Sequence, residues 1–97
     1  MDRKMQNATM DALFDTILKL KSREECYDFF DDLCTVKELQ AMSQRLEVAK
    51  MLSLNKTYTQ ISEKTGASTV TISRVNRILN YGNDSLKAII DEANKES

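Results

Sequence analysis

The sequence predicts an all-helical protein, and three observations favour this fold class. The chain of 97 residues has no proline and only two glycines, so little in it would interrupt helices. Aliphatic residues recur at spacings of three and four, the period of a helix with one apolar face. A hydroxyl residue followed three positions later by Glu or Gln, the capping-box pattern, occurs repeatedly. We therefore predict about six helices in a single domain over residues 1–97.

The first third of the chain contains two predicted amphipathic helices. An apolar stripe predicts a helix over residues 8–20, and Ser22 with Glu25 forms a capping box that opens a second helix over residues 23–33. The second helix is rich in aromatic residues. Together the two helices carry more apolar surface than one small domain can readily cover, so residues 8–33 are interpreted as a dimerisation arm. A purely intramolecular helical hairpin is the alternative.

Thr35 and Glu38 repeat the capping pattern and predict a long central helix over residues 35–54. Its apolar positions have heptad-like spacing: Leu39, Met42, Leu46, Ala49 and Leu52. Near the end of the chain, Gly82 supplies a C-cap for the preceding helix. Asp84 then supplies an N-cap for a last helix over residues 84–95. The predicted apolar face of that helix consists of Leu86, Ile89, Ile90 and Ala93, and the final DEANKES segment is expected to be solvated.

Residues 57–80 have the pattern of a helix-turn-helix. A capped TYTQ segment predicts a short helix ending near residue 65, Gly66 provides positive φ at a sharp turn, and Ser68 caps a second helix. The predicted inner face of that helix is apolar, with Ile72, Val75 and Leu79. A tight helical corner with solvated polar residues is the ordinary alternative reading.

The outer face of the second short helix has hydroxyl and arginine side chains, a composition suited to a DNA groove. Its short residues would let the backbone approach base edges, and Thr or Val methyl groups could meet a thymine methyl. Residues 56–80 carry four basic residues against Glu63 alone, although the whole chain has a net charge of −1. The predicted contacts with double-stranded DNA are Lys56, Tyr58, Thr59, Lys64, Ser68, Thr69, Val70, Thr71, Ser73, Arg74 and Arg77.

Composition argues against other classes of function. Histidine is absent, which removes the commonest general base and metal ligand, and no glycine-rich phosphate loop is present, so neither an enzyme nor a metal site is expected. Cys26 and Cys34 have no second pair to complete a thiolate site and are interpreted as buried reduced thiols. The chain lacks a signal-like or membrane-spanning apolar run, so a cytoplasmic protein without a membrane partner is expected.

On these residues the chain resembles the Trp repressor superfamily, and most closely its YerC/YecD-like branch of small bacterial proteins. The likeness covers about residues 33–80 and is carried by LCTVKELQAMSQRLEVAKMLSLNKTYTQISEKTGASTVTISRV. The resemblance implies a six-helix intertwined homodimer whose paired recognition helices bind operator DNA one turn apart.

The resemblance also implies a candidate effector site. In that family a corepressor amino acid lies between two arginines and near a threonine, and the matching positions here are Arg45, Arg74 and Thr35. Surface ion pairing or phosphate contact would equally explain either arginine. Val75 stands where tryptophan-binding members have glycine, and a β-branched side chain there would take space that an indole ring needs. No cofactor is expected, a small-molecule corepressor stays open, and tryptophan is disfavoured.

Two functional hypotheses follow. The first is a sequence-specific transcriptional regulator, a repressor, that binds DNA as a homodimer. The second is a protein–protein interaction module built on a helix-turn-helix without direct DNA readout, since such folds also serve as docking surfaces.

Overall fold

The computed structural model describes residues 6–96, and every secondary-structure element in that range is an α-helix. The six helices are α1 Ala8–Ile17, α2 Arg23–Leu33, α3 Val36–Ser53, α4 Tyr58–Thr65, α5 Thr69–Tyr81 and α6 Ser85–Lys95. The prediction of an all-helical chain with six helices is therefore confirmed. The predicted bounds agree closely except in α1, which ends at Ile17 rather than residue 20. The backbone after Ile17 tightens into bonds from Lys19 N–H to Thr16 O and from Leu20 N–H to Ile17 O.

Side-chain caps fix the starts of the four helices α2 to α5, as the sequence pattern predicts. The Thr35 and Thr57 hydroxyls each accept a hydrogen bond from the backbone N–H three residues later. The side chains of Glu38 and Gln60 in turn accept from the backbone N–H of the cap residue, which completes two capping boxes. Ser22 also caps its helix, but there the Glu25 carboxylate accepts from the Ser22 hydroxyl at 3.4 Å.

The turn that follows α3 contains a left-handed residue, Asn55, that no sequence pattern predicted. Asn55 adopts a left-handed conformation with φ of 61°. The following N–H, of Lys56, reaches back to Met51 O at 3.0 Å, and the Asn55 N–H bonds Leu52 O, the bond pair of a Schellman motif. Asparagine is tolerated there because it adopts this conformation more readily than other residues with a Cβ.

The chain divides into two compact units, with the boundary inside α3 between Leu39 and Gln40. In the N-terminal unit, none of the described residues 6–39 is buried. The apolar stripes of α1 and α2 are present as predicted, but Phe14 and Leu18 are exposed and so is Tyr27. One aromatic pair, Phe29 and Phe30, packs edge to face with ring centroids 5.1 Å apart. This unit therefore has apolar surface that one chain leaves uncovered.

The C-terminal unit contains the core. It is built from the second half of α3 together with α4, α5 and α6, and its buried residues are Val48, Ala49, Met51, Ile61, Ala67, Ile72, Val75 and Ile90. Leu52, Leu79 and Leu86 pack against this cluster. The predicted heptad stripe of α3 is buried only in its C-terminal half, since Met42 and Leu46 remain about half exposed.

The last helix differs from prediction in three details. Asp84 stands at the N-cap position but makes no side-chain capping bond, and the Asn83 side chain accepts the Ser85 N–H at 3.0 Å instead. Ile89, expected on the inner face, is 65% exposed, because the neighbouring residue Ile90 is the one that α6 inserts into the core. The final segment is helical through Lys95 and packs back, with Asn94 donating to Lys50 O at 3.4 Å. Before this helix, Gly82 is the C-cap of α5 as predicted; its φ of −82° is not left-handed, and a Cβ there would lie 2.6 Å from Ile78 O.

Candidate nucleic-acid interface

The turn between α4 and α5 is held by a small set of directed contacts. Gly66 ends α4 with φ of 74°, a left-handed conformation as predicted. The Thr65 hydroxyl donates to Ile61 O and accepts the Ala67 N–H, which ties the last turn of α4 to the following residue. The Gln44 side chain donates to Thr65 O at 3.1 Å, so α3 anchors the turn as well. These contacts fix the direction in which α5 leaves the turn.

The inner face of α5 is locked into the core, and the outer face is open. Ile72 and Val75 are buried, Leu79 packs against the core cluster, and all three match the predicted apolar face. The outer face carries no acidic residue anywhere along α5. Its exposed residues with predicted DNA contacts are Thr69, Val70, Ser73, Arg74 and Arg77. A helix held on one side and open on the other can enter a groove without unpacking the core.

Ser68 and Thr71 have a structural role in addition to any contact with DNA. The Ser68 hydroxyl accepts the Thr71 N–H and donates to the Thr71 side-chain oxygen, both at 3.2 Å. These bonds satisfy one of the orphan amides at the start of α5 and fix the Ser68 side chain. Thr71 itself is half-buried, so the more accessible hydroxyls of this helix belong to Thr69 and Ser73.

A cavity of about 220 Å³ lies between α3 and the start of α5. Ala41, Gln44, Arg45, Val70, Thr71 and Arg74 line it, so the structure brings together the two arginines that the sequence analysis selected for an effector. Neither guanidinium forms an ion pair or hydrogen bond with a described residue. Two unpaired cations at one concave surface repel each other and would be stabilised by an anion between them.

The other two predicted effector determinants have different roles. Thr35 caps α3, with its hydroxyl accepting the Glu38 N–H at 3.1 Å. In return, the Thr35 backbone N–H and secondarily the Thr35 hydroxyl hold the pKa of Glu38 below its usual value of 4.5. Val75, predicted to compete with an indole ring, is buried in the core, and it is not among the residues that line the cavity.

Lys56 and Lys64 lie apart from this cavity. Both line a wider groove of about 610 Å³ between the end of α3 and α4, together with Glu47, Met51, Leu54, Gln60 and Glu63. The two glutamates offset the charge of the two lysines there. The remaining predicted contacts on α4, Tyr58 and Thr59, occupy its exposed first turn, where backbone N–H groups have no helical partner.

Gln44 and Ala41 complete the site although no sequence pattern pointed to them. Gln44 links the cavity to the turn, and Ala41 lies one helical turn before Arg45 on α3. A polar residue on a long helix is usually solvated, so only the three-dimensional placement shows that Gln44 bonds a backbone carbonyl 21 positions later.

Two other candidate features can be placed within residues 6–96. Cys26 and Cys34 are free thiols of intermediate burial, rather than buried as predicted, because the neighbours of residues 6–39 cover none of these residues completely. No group of three or more metal-ligating residues converges in this range, and none of its helices is both long and apolar enough to cross a bilayer.

The turn, the clamped inner face and the open outer face define a helix-turn-helix protein of the all-helical class. A family model described as Trp repressor protein matches residues 8–94, and the chain belongs to that family, whose members are DNA-binding regulators. The uncharacterized protein YerC of Bacillus subtilis (strain 168) is 57% identical over 88 residues, covering 91% of this chain and 85% of YerC. The resemblance inferred from the sequence is thereby confirmed.

Solved structures show the same fold. A candidate Trp repressor from Staphylococcus aureus is 56% identical with a TM-score of 0.89, covering 95% of this chain and 92% of its own. A TrpR-like protein from Eubacterium eligens ATCC 27750 is 52% identical with a TM-score of 0.90, and 96% of each chain is covered.

Proposed function

We propose that this protein is a cytoplasmic, sequence-specific regulator of transcription that binds double-stranded DNA as a homodimer and represses the genes it binds. The observation that carries the proposal is the outer face of α5, which is exposed and free of carboxylates while the opposite face is buried in the core. The assignment as a repressor rests on the family alone.

Arg74 and Arg77 are proposed to contact phosphates, and the short side chains at the start of α5 are proposed to meet base edges. Both arginines are exposed and have no ion-pair partner among the described residues, so binding DNA would not require an internal salt bridge to break. The free N–H groups at the starts of α4 and α5 add partial positive charge directed at the same backbone. Phosphate contacts would position the helix, and base contacts would supply sequence preference.

The homodimer is proposed from the uncovered apolar surface of α1 and α2. In residues 6–39 nothing is buried, and Leu18 is 81% and Tyr27 71% exposed. A second copy of the chain offers the same apolar face and would bury both. Two paired α5 helices would then read half-sites about 34 Å apart, one turn of DNA.

A small anion is proposed as a ligand of the cavity between α3 and α5. The observation that favours it is the pair of unpartnered guanidiniums, Arg45 and Arg74, in a space of about 220 Å³. Carboxylates and phosphates suit such a pair because guanidinium donates two parallel bonds to either group. This volume lies below the range of drug-sized pockets, which favours a compact ligand.

The test of DNA binding begins with selection of duplexes from a randomised library on immobilised protein. Affinity for the selected duplex is then measured by fluorescence anisotropy across a range of salt concentrations. Arg74→Ala and Arg77→Ala are each expected to weaken binding and to reduce the slope of log affinity against log salt by about 0.9 per lost phosphate contact.

Lys87→Ala is the matched control, because Lys87 is an exposed cation on α6 outside the proposed interface. Its affinity and salt slope should stay close to the wild-type values. Enrichment of no sequence by the wild-type protein, or an unchanged salt slope in both arginine variants, would contradict the proposal.

A further inference from the structure

Val70 is an apolar side chain on the open face of α5, in its first turn, and it is 73% exposed. Ser73 and Arg74 follow at spacings of three and four, so the three residues lie on one face of the helix. Val70 therefore places two methyl groups on the same face as a hydroxyl and a guanidinium, near the N-terminal end of α5.

Neither packing nor helix propensity explains a valine at this position. The core beneath α5 is completed by Ile72 and Val75, with Ala67 at the preceding corner, and these three residues are buried without Val70. Valine is also a weaker helix former than alanine or the long polar residues that usually occupy exposed helix positions. Its side chain borders the cavity beside Arg74, yet most of its surface still faces solvent.

We propose that Val70 is a specificity-determining residue that reads the C5 methyl group of a thymine in the major groove. This inference rests on the proposed DNA-binding function. Thymine is the one standard base that presents a methyl group in that groove, and a side chain without hydrogen-bonding atoms can select it only by apolar contact. A β-branched side chain in a helix has one strongly preferred rotamer, so its methyl groups are already positioned before binding.

The proposed contact can be tested by removing a single methyl group from the DNA. Deoxyuridine pairs as thymine does and keeps the O4 acceptor, but it lacks the C5 methyl. Burial of one methyl-sized group between Val70 and the base corresponds to about a fourfold change in affinity. Arg74 and Ser73 should be insensitive to the substitution, because both make polar contacts.

The experiment uses the full chain and a duplex selected by it from a randomised library. Each thymine is replaced in turn by deoxyuridine, and affinity is measured by anisotropy for the wild type, Val70→Ser and Val70→Thr. The affinity of the wild type is expected to fall about fourfold when one particular thymine in each half-site is replaced. Val70→Ser should bind the thymine and deoxyuridine duplexes equally, and Val70→Thr, which keeps one γ-methyl, should retain part of the preference.

The outcomes separate this inference from the function on which it rests. A wild-type protein that selects DNA but is indifferent to every deoxyuridine substitution, or a Val70→Ser variant with an undiminished preference, overturns the role of Val70 and leaves DNA binding standing. A wild-type protein that selects no DNA overturns both. Circular dichroism of each variant checks folding, which an exposed position should not disturb.

Discussion

The side-chain amide of Gln44 donates a hydrogen bond of 3.1 Å to the backbone carbonyl of Thr65, linking the central helix to the last turn of α4. We expect Gln44→Ala to lower the free energy of unfolding by about 1 kcal/mol, since it leaves a half-buried carbonyl without its partner. Urea denaturation would measure the loss. Gln40→Ala is the control, one turn earlier on the same helix and exposed, and it should have almost no effect. Equal losses in the two variants would contradict the anchoring role.

Gly66 ends α4 at φ of 74°, with no atom within 4 Å of where a Cβ would lie. Gly66→Ala should therefore lower stability by about 1 kcal/mol through backbone strain alone. For a domain of this size that is a fall in Tm of roughly 4–8 °C, readable by circular dichroism. Gly66→Asn should cost less, because asparagine adopts the left-handed conformation more readily. If alanine and asparagine were equally tolerated, the conformation at the turn would have to differ.

Glu38 predicts a specific pH dependence of stability. Because the Thr35 bonds lower its pKa in the folded protein, its contribution is fully present above the unfolded value of 4.5 and is lost as the pH falls through the folded pKa. The stability gap between wild type and Glu38→Gln should therefore shrink on acidification. Denaturant titrations at a series of pH values would follow it, with Glu63→Gln, an exposed residue of α4, as control. A gap that stays constant with pH would exclude a contribution from this carboxylate.

The cavity predicts anion binding that depends on two particular arginines. At constant ionic strength, a small dicarboxylate or inorganic phosphate should raise Tm progressively with concentration, as expected for a ligand of the folded state. Arg45→Gln and Arg74→Gln should reduce this shift, while Arg77→Gln should keep it because Arg77 does not line the cavity. Equal shifts in all three variants would indicate nonspecific screening of charge.

The uncovered surface of α1 and α2 predicts association of two chains. Light scattering after size-exclusion chromatography should give the mass of a dimer at micromolar concentration, and Tm should rise with protein concentration. Leu18→Glu should weaken the dimer, because it places a charge on the apolar face. Leu54→Glu is the control, an exposed leucine outside the arm. A monomeric mass together with a Tm independent of concentration would rule out the proposed arm.

Local chemistry explains why much of the fold could be predicted. A capping box needs only two residues three positions apart, and both the Thr35 and Thr57 boxes formed as expected. Positive φ at Gly66 follows from the missing Cβ, and the inner face of α5 follows from the helical period. These features depend on neighbours within one or two turns, so the sequence contains all the information they require.

Only the tertiary structure determines which apolar residues are buried and which polar residues come into contact. Ile89 and Ile90 are equivalent in a hydropathy pattern, and only the direction from which α6 packs on the core cluster determined that Ile90 is buried. The bond from Gln44 to Thr65 and the cavity shared by Arg45 and Arg74 join residues more than 20 positions apart in the chain. Such contacts arise from the packing of helices, which depends on the shapes of many side chains at once and leaves no periodic signal in the sequence.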